Sequence, residues 1–261
     1  MPYKIDRFIL FGDSITEYSS KQDGFAMAPA LQDLYSTKLD IVTRGFSGYN
    51  TNQGVVMLGQ VLEAEKLAGN TVRLMYVFMG TNDAATTFQH VSLDQYKQNL
   101  DKMVKMILKE DIKVMVVGPT LHEENASPEF KDEPPFSSSK RNKQYADVAK
   151  EVATKNNVPF VDLWSAFQKE SGYTAEELLE KSRDLKKFLR DGVHFTPAGY
   201  KILYNELVKT INTSFPELAP ENLRLAFPYY RDVDFDNSRQ SLLDYLKKSS
   251  WPKYAHYVAD L

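Results

Sequence analysis

A serine hydroxyl attacks a carbonyl only when a base removes its proton, and imidazole suits that task near neutral pH. The chain has four histidines: His90, His122, His194 and His256. Of these, His194 sits in a tight turn with an acid three residues before it, Asp191-Gly192-Val193-His194. Gly192 lets that turn fold so that the Asp191 carboxylate reaches Nδ1, leaving Nε2 to face a hydroxyl. The hydroxyl is offered by Ser14, which follows the apolar run Phe8-Ile9-Leu10-Phe11 and Gly12-Asp13. Taken singly, Gly-Asp-Ser and Asp-Gly-x-His also spell ordinary turns.

Acyl transfer further needs donors aimed at the oxyanion that forms on the carbonyl. Gly48, at the start of a helix, can present a backbone N–H, Asn82 a side-chain N–H, and Ser14 its own amide. Ala84, Ala85, Val193 and Phe195 flank these positions with small or apolar surface. Asp13 and Asp83 suggest a carboxylate metal site, but no His-x-x-x-His pattern accompanies them and no metal is expected. Asp13 is expected to bond neighbouring backbone N–H groups. His90, in Gln89-His90-Val91, reads as a loop residue near the same edge.

The elements that must position these groups alternate. Strand-like runs are Phe8–Phe11, Leu39–Thr43, Thr71–Met79, Lys113–Pro119 and Val158–Leu163. Helical patterns lie between them; over Asp94–Lys109, Tyr96, Leu100, Met103, Val104, Ile107 and Leu108 fall on one stripe. The alternation predicts a doubly wound, mainly parallel five-stranded sheet. Ser14, Gly48 and Asn82 each follow a strand, so all three belong to its carboxyl edge, where such sheets gather ligands. Thr196 and Pro197 open a last helix with the buried stripe Tyr200, Leu203, Tyr204, Leu207, Val208 and Ile211.

Two stretches read less regularly. Thr120–Ser139 is polar and acidic, a loop that either covers the site or is disordered. Trp164–Arg190 is charged and irregular apart from a helical piece at Ala175–Lys181. After Pro216 the composition shifts: residues 221–261 hold eight aromatics, too many for a solvated tail. A main domain over 1–215 and an aromatic extension over 216–261, packed on the domain or on a second subunit of a homodimer, are expected.

A net charge of −3 gives no footprint for nucleic acid. The absence of cysteine removes disulfides, thiol nucleophiles and thiolate metal sites and fits a reducing compartment. The N-terminus shows no secretory pattern and no apolar run reaches a membrane span, so a cytoplasmic location is expected.

In order, Gly12-Asp13-Ser14, Gly48, Gly80-Thr81-Asn82-Asp83 and Asp191-x-x-His194 resemble the four blocks of the SGNH (GDSL-type) hydrolases. Arg44-Gly45-Phe46-Ser47-Gly48-Tyr49-Asn50-Thr51, Asn82-Asp83-Ala84-Ala85, Gln89-His90-Val91 and Tyr230-Arg231-Asp232-Val233 resemble the isoamyl acetate-hydrolysing esterase branch. The resemblance spans most of Lys4–Val233 and makes residues 1–215 the SGNH hydrolase domain. Thr43 and Gln53 depart from it, standing where Asn and Trp are frequent. It implies a flavodoxin-like three-layer α/β/α sandwich and a cofactor-free esterase. Ser14 would be the nucleophile, His194 the base, Asp191 its orienting acid, and Ser14, Gly48 and Asn82 the oxyanion donors. Small acetate esters are the implied substrates. Acetylated sugars, lysophospholipids, thioesters or acyl transfer to an alcohol use the same blocks, and a non-catalytic binding protein on this fold is the third reading.

Overall fold

The computed structural model describes residues 4–124, 126 and 135–247. Its elements run β1 (Arg7–Gly12), α1 (Ser14–Glu17), α2 (Met27–Leu34), β2 (Asp40–Gly45), α3 (Thr51–Leu67), β3 (Val72–Phe78), α4 (Leu93–Lys109) and β4 (Lys113–Val117). There follow α5 (Ser139–Lys155), β5 (Phe160–Val161), α6 (Leu163–Ser171), α7 (Ala175–Glu180), α8 (Pro197–Ser214) and α9 (Ser238–Lys247). The strands form one sheet in the order β2-β1-β3-β4-β5, and every pairing is parallel. This is the flavodoxin-type order expected of a doubly wound sheet.

Strands buried on both faces explain the unbroken apolar runs. Side chains alternate across the sheet, so Phe8 and Leu10 of β1 join Leu74, Tyr76 and Phe78 of β3 on one face. There they pack with Leu31 of α2, Phe167 of α6 and Leu203 and Leu207 of α8. Ile9 and Phe11 join Met75 and Val77 on the other, against Leu58 of α3, Leu100 and Met103 of α4 and Ala149 and Val152 of α5. The result is three layers, α2/α6/α8, sheet, and α3/α4/α5.

Three expectations need correction. The fifth strand has two paired residues rather than six, because the Asp162 carboxylate accepts from Ser165 N–H and starts α6 at once. Helix α6 itself occupies part of the stretch read as irregular, ending at Gly172 with φ +77°. The segment after β4 is polar but not exposed: Thr120, Leu121, His122 and Glu123 are buried, and the Glu123 carboxylate accepts from Leu185 N–H at 2.6 Å. Of Thr120–Ser139, residues 125 and 127–134 lie outside those described.

The described part of the C-terminal extension returns to the α2–β2 corner. Tyr35 donates to the Leu218 carbonyl at 3.0 Å and Lys38 to that of Pro220 at 2.7 Å. Ala226 N–H donates to the Thr37 carbonyl. Tyr245 is buried and donates to Leu225, while Tyr230 and Phe235 are exposed. Trp251, Tyr254 and Tyr257 lie outside the described residues.

Candidate active site

Because the sheet is parallel, the loops after β1, β2, β3 and β4 meet at one edge, and the helix-capping chemistry there fixes Ser14. Gly12 ends β1 where a Cβ would collide with the Thr16 hydroxyl and the Phe78 carbonyl. Asp13 caps α1, its Oδ1 accepting from Ile15 N–H at 2.9 Å. Ser14 is the first residue of α1, so its N–H has no acceptor within the helix. The side chain is nearly buried, with 7% of the residue's surface exposed.

His194 comes to Ser14 from a turn built between α7 and α8. Leu189 and Phe195 form an antiparallel bridge, and Arg190 N–H donates to the His194 carbonyl at 2.8 Å. Gly192 closes the turn with φ +88°, pressed against the Glu123 backbone where a side chain has no room. Asp191 Oδ1 accepts from the N–H groups of Val193 (3.1 Å) and His194 (2.8 Å). Its Oδ2 lies 2.6 Å from His194 Nδ1, and His194 Nε2 lies 2.9 Å from Ser14 Oγ. Burial works against the Asp191 charge, but the hydrogen bonds from the His194 ring and the two amides outweigh it and hold the carboxyl at about 2. With a carboxylate on Nδ1, the tautomer that presents a lone pair to the serine is favoured.

The loops after β2 and β3 are equally specified. Glu17 Oε2 accepts from Ser47 N–H (2.9 Å) and Ser47 Oγ (2.6 Å), tying the β2–α3 loop to α1. Gly48 adopts φ +79°, which glycine alone takes without strain. Helix α3 begins only at Thr51, with Asn50 as its cap; Gly48 therefore precedes the helix instead of opening it, as its sequence position suggested. Asn82 Nδ2 donates to the Tyr49 carbonyl at 2.8 Å. A primary amide has a second N–H, which this bond leaves unused. Ser14, Gly48, Asn82, Asp191 and His194 are thus gathered from four loops into one corner.

Residues 10–202 match the GDSL-like lipase/acylhydrolase family. The chain belongs to that family. It is similar to the isoamyl acetate-hydrolyzing esterase of Saccharomyces cerevisiae, 32% identical over 245 residues that cover 89% of this chain and 97% of the yeast protein. The Homo sapiens isoamyl acetate-hydrolyzing esterase 1 homolog is 31% identical, covering 91% of this chain and 92% of its own. Among solved structures, a lipase/acylhydrolase from Enterococcus faecalis superposes with a TM-score of 0.61 at 25% identity, over 85% of this chain and 98% of that one. An acetylxylan esterase from Geobacillus stearothermophilus shares the fold at 19% identity, with a TM-score of 0.60 over 80% of this chain and 95% of that one.

Within this GDSL-type site, two residues expected to wall the substrate do not. Phe195 is buried in the core against Phe167 and Tyr200. Neighbouring side chains in an extended bridge point to opposite sides, so His194 facing Ser14 turns Phe195 inward. Ala84 is also fully buried; its carbonyl accepts from Ser137 Oγ at 3.1 Å and from Arg141 Nε at 2.5 Å. Ala85 is buried beside it. Val193 keeps partial exposure.

Sequence reasoning missed Tyr18, whose ring lies 5.1 Å from the His194 ring at 45° and carries Lys21 Nζ 3.5 Å from its centroid. Four residues past Ser14 on a helical turn, it sits where i,i+4 spacing allows contact over the site. His90 is exposed, with Nδ1 2.9 Å from the Arg141 guanidinium and 3.0 Å from the Asp83 carbonyl. That is a structural loop position. His122 is buried with Nδ1 unpartnered among the described residues. Burial pushes it down to about 4, so it is neutral at neutral pH.

Two buried carboxylates support the corner from below. Asp83 accepts from Thr51 N–H and the Thr51 hydroxyl, and burial raises it to about 6 in spite of them. Asp13 Oδ2 has no partner among the described residues. Burial pushes Asp13 up to about 7, against the Ile15 amide and the attraction of His194. Among the described residues no group of three or more His, Cys, Asp or Glu is arranged to hold a metal ion.

Proposed function

We propose that this chain hydrolyses small carboxylic esters, acetate esters of short alcohols foremost, through an acyl-Ser14 intermediate. The observation that carries the reading is the continuous relay from Asp191 through His194 to Ser14, with links of 2.6 and 2.9 Å. His194 takes the hydroxyl proton as Ser14 attacks the ester carbonyl. The oxyanion meets the N–H groups of Ser14, Gly48 and Asn82. His194 then protonates the leaving alcohol, and a water activated by the same imidazole releases the acid. Tyr18, its ring against that of His194, borders the site on the imidazole side. The preference for acetate follows the similarity to isoamyl acetate-hydrolyzing esterases.

The reading is tested with Ser14→Ala on p-nitrophenyl acetate and on an acyl-chain and alcohol panel that includes isoamyl acetate and acetylated xylose. Turnover is expected to vanish in the variant with unchanged circular dichroism, and to fall with acyl length in the parent. Retained turnover in the variant overturns the reading; preference for the sugar ester or for long acyl chains moves the substrate class.

The same proposal places the chain in the cytoplasm and residues 216–261 as an extension that joins two copies. No helix among the described residues is long and apolar enough to cross a membrane. Exposed Tyr230, Phe235, Leu243 and Leu246 supply the apolar surface. Sedimentation of a chain cut after Asp236, which removes Leu243 and Leu246, tests it: the same number of chains per particle as in the full-length protein removes the dimer contact from residues 237–261.

A further inference from the structure

Among the described residues, the two oxyanion loops, one after β2 and one after β3, share no backbone hydrogen bond that would fix Gly48 relative to Asn82. Side chains join them instead, and that of Gln89 reaches both. Gln89 Nε2 lies 2.8 Å from the Gly48 carbonyl and 3.3 Å from Asn82 Oδ1, and the Gln89 carbonyl accepts from Asn50 Nδ2 at 2.8 Å. The orientation of each amide follows from its neighbours. A carbonyl only accepts, so Gly48 O demands the NH₂ end of Gln89, and Tyr49 O demands the NH₂ end of Asn82. The remaining Asn82 Oδ1 then faces the second N–H of Gln89. The chain of polarity runs without a mismatch from Gly48 through Gln89 and Asn82 to Tyr49.

We propose that Gln89 is a positioning residue for catalysis, holding the Gly48 peptide and the Asn82 amide in the register in which both face one oxyanion. This rests on the reading of Gly48 and Asn82 as oxyanion donors. Its effect passes through Asn82: with Oδ1 pinned, the amide cannot rotate its oxygen toward the developing negative charge. A donor displaced from a preorganised site loses most of its worth, since donors count by their distance to the oxyanion and not to the ground-state carbonyl. Phe88, the preceding residue, is 96% exposed, so the loop is held by its polar contacts and not by packing of that ring.

The test uses Gln89→Met, Gln89→Glu and Asn82→Ala in the full chain, singly and paired, with p-nitrophenyl acetate. Gln89→Met keeps the volume and removes both donors; kcat is expected to fall about tenfold to a hundredfold, below the ~10²–10³-fold loss of a donor itself, with KM within about threefold. Gln89→Glu offers oxygens where Gly48 O and Asn82 Oδ1 need donors and is expected to cost at least as much. In the Asn82→Ala background, Gln89→Met is expected to cost clearly less than in the parent, because only its contact with the Gly48 carbonyl remains. Multiplying effects in the double variant, or an unchanged kcat in both Gln89 variants beside a large Asn82→Ala loss, overturn the assignment to Gln89. An unaffected Asn82→Ala enzyme overturns the oxyanion reading itself, a separate outcome. Thermal unfolding of each variant identifies loss of fold, and a kcat loss that tracks unfolding counts against positioning.

Discussion

Replacing Asp13 by Asn is expected to change the pH dependence of stability more than any other single substitution near the site. The carboxyl is fully buried; Oδ1 accepts from Ile15 and Oδ2 is unpartnered among the described residues. Burial raises its pKa from 3.8 to about 7. The folded state therefore keeps a proton that the unfolded chain releases from about pH 4 upward. The stability that follows is complete below the unfolded value and is lost as pH climbs through the folded one. Roughly 3 units at about 1.4 kcal/mol each make about 4 kcal/mol between pH 4 and 8. The side-chain amide of Asp13→Asn keeps an oxygen for Ile15 N–H, remains a good helix cap and never ionises. Urea unfolding of parent and Asp13→Asn at half-unit steps measures the difference. The variant is expected to gain about 4 kcal/mol on the parent from pH 4 to pH 8. A parent–variant difference that stays constant over that range refutes the reasoning. The parent tolerates the cost in a place where a negative charge faces His194, so the variant is expected to be more stable and slower at pH 8, a trade common at active sites.

Asp191→Asn is expected to keep the turn, because Oδ1 still accepts from Val193 and His194, yet it sets an NH₂ against Nδ1. That forces the tautomer with a proton on Nε2, and kcat for p-nitrophenyl acetate is expected to drop by about 10⁴ with little change in unfolding midpoint. Since Asp191 stays ionised down to about pH 2, it is expected to contribute nothing to the parent kcat/KM profile above about pH 4, whereas Asp13, raised to about 7, is expected to shape that profile; an Asp13→Asn profile identical to the parent's from about pH 5 to 8 contradicts this. Gly192→Ala must hold φ +88° and displace the Glu123 backbone. A stability loss of at least about 2 kcal/mol in urea, with a fall in kcat/KM, is expected.

Much of the fold was legible because strands buried on both faces leave unbroken apolar runs, and Ser14 and Asn82 each follow one, while Gly48 follows the half-buried edge strand β2. The meeting of Ser14 and His194 across 180 positions was legible from the acid three residues before the imidazole and from the family resemblance, not from the sheet, because the His194 turn follows no strand of it. Helix α6 was hidden because Leu163, Trp164 and Phe167 continue the apolar character of β5 without a break; its markers were the Asp162 cap and Gly172 stop. Phe195 was misplaced because adjacency to His194 in sequence becomes opposition in an extended bridge. Gln89 was visible only as part of a resemblance. Its contacts reach two loops at once, and nothing in spacing or periodicity encodes which carbonyl a long polar side chain will find.

The central claim is tested most directly by trapping the acyl-enzyme. Parent protein mixed with p-nitrophenyl acetate and quenched in acid within the first turnovers is expected to gain one acetyl group, located by peptide mass spectrometry on Ser14. Acetyl on another residue, or rapid nitrophenol release with no covalent species at any quench time while a fluorophosphonate also leaves Ser14 unlabelled, would contradict it.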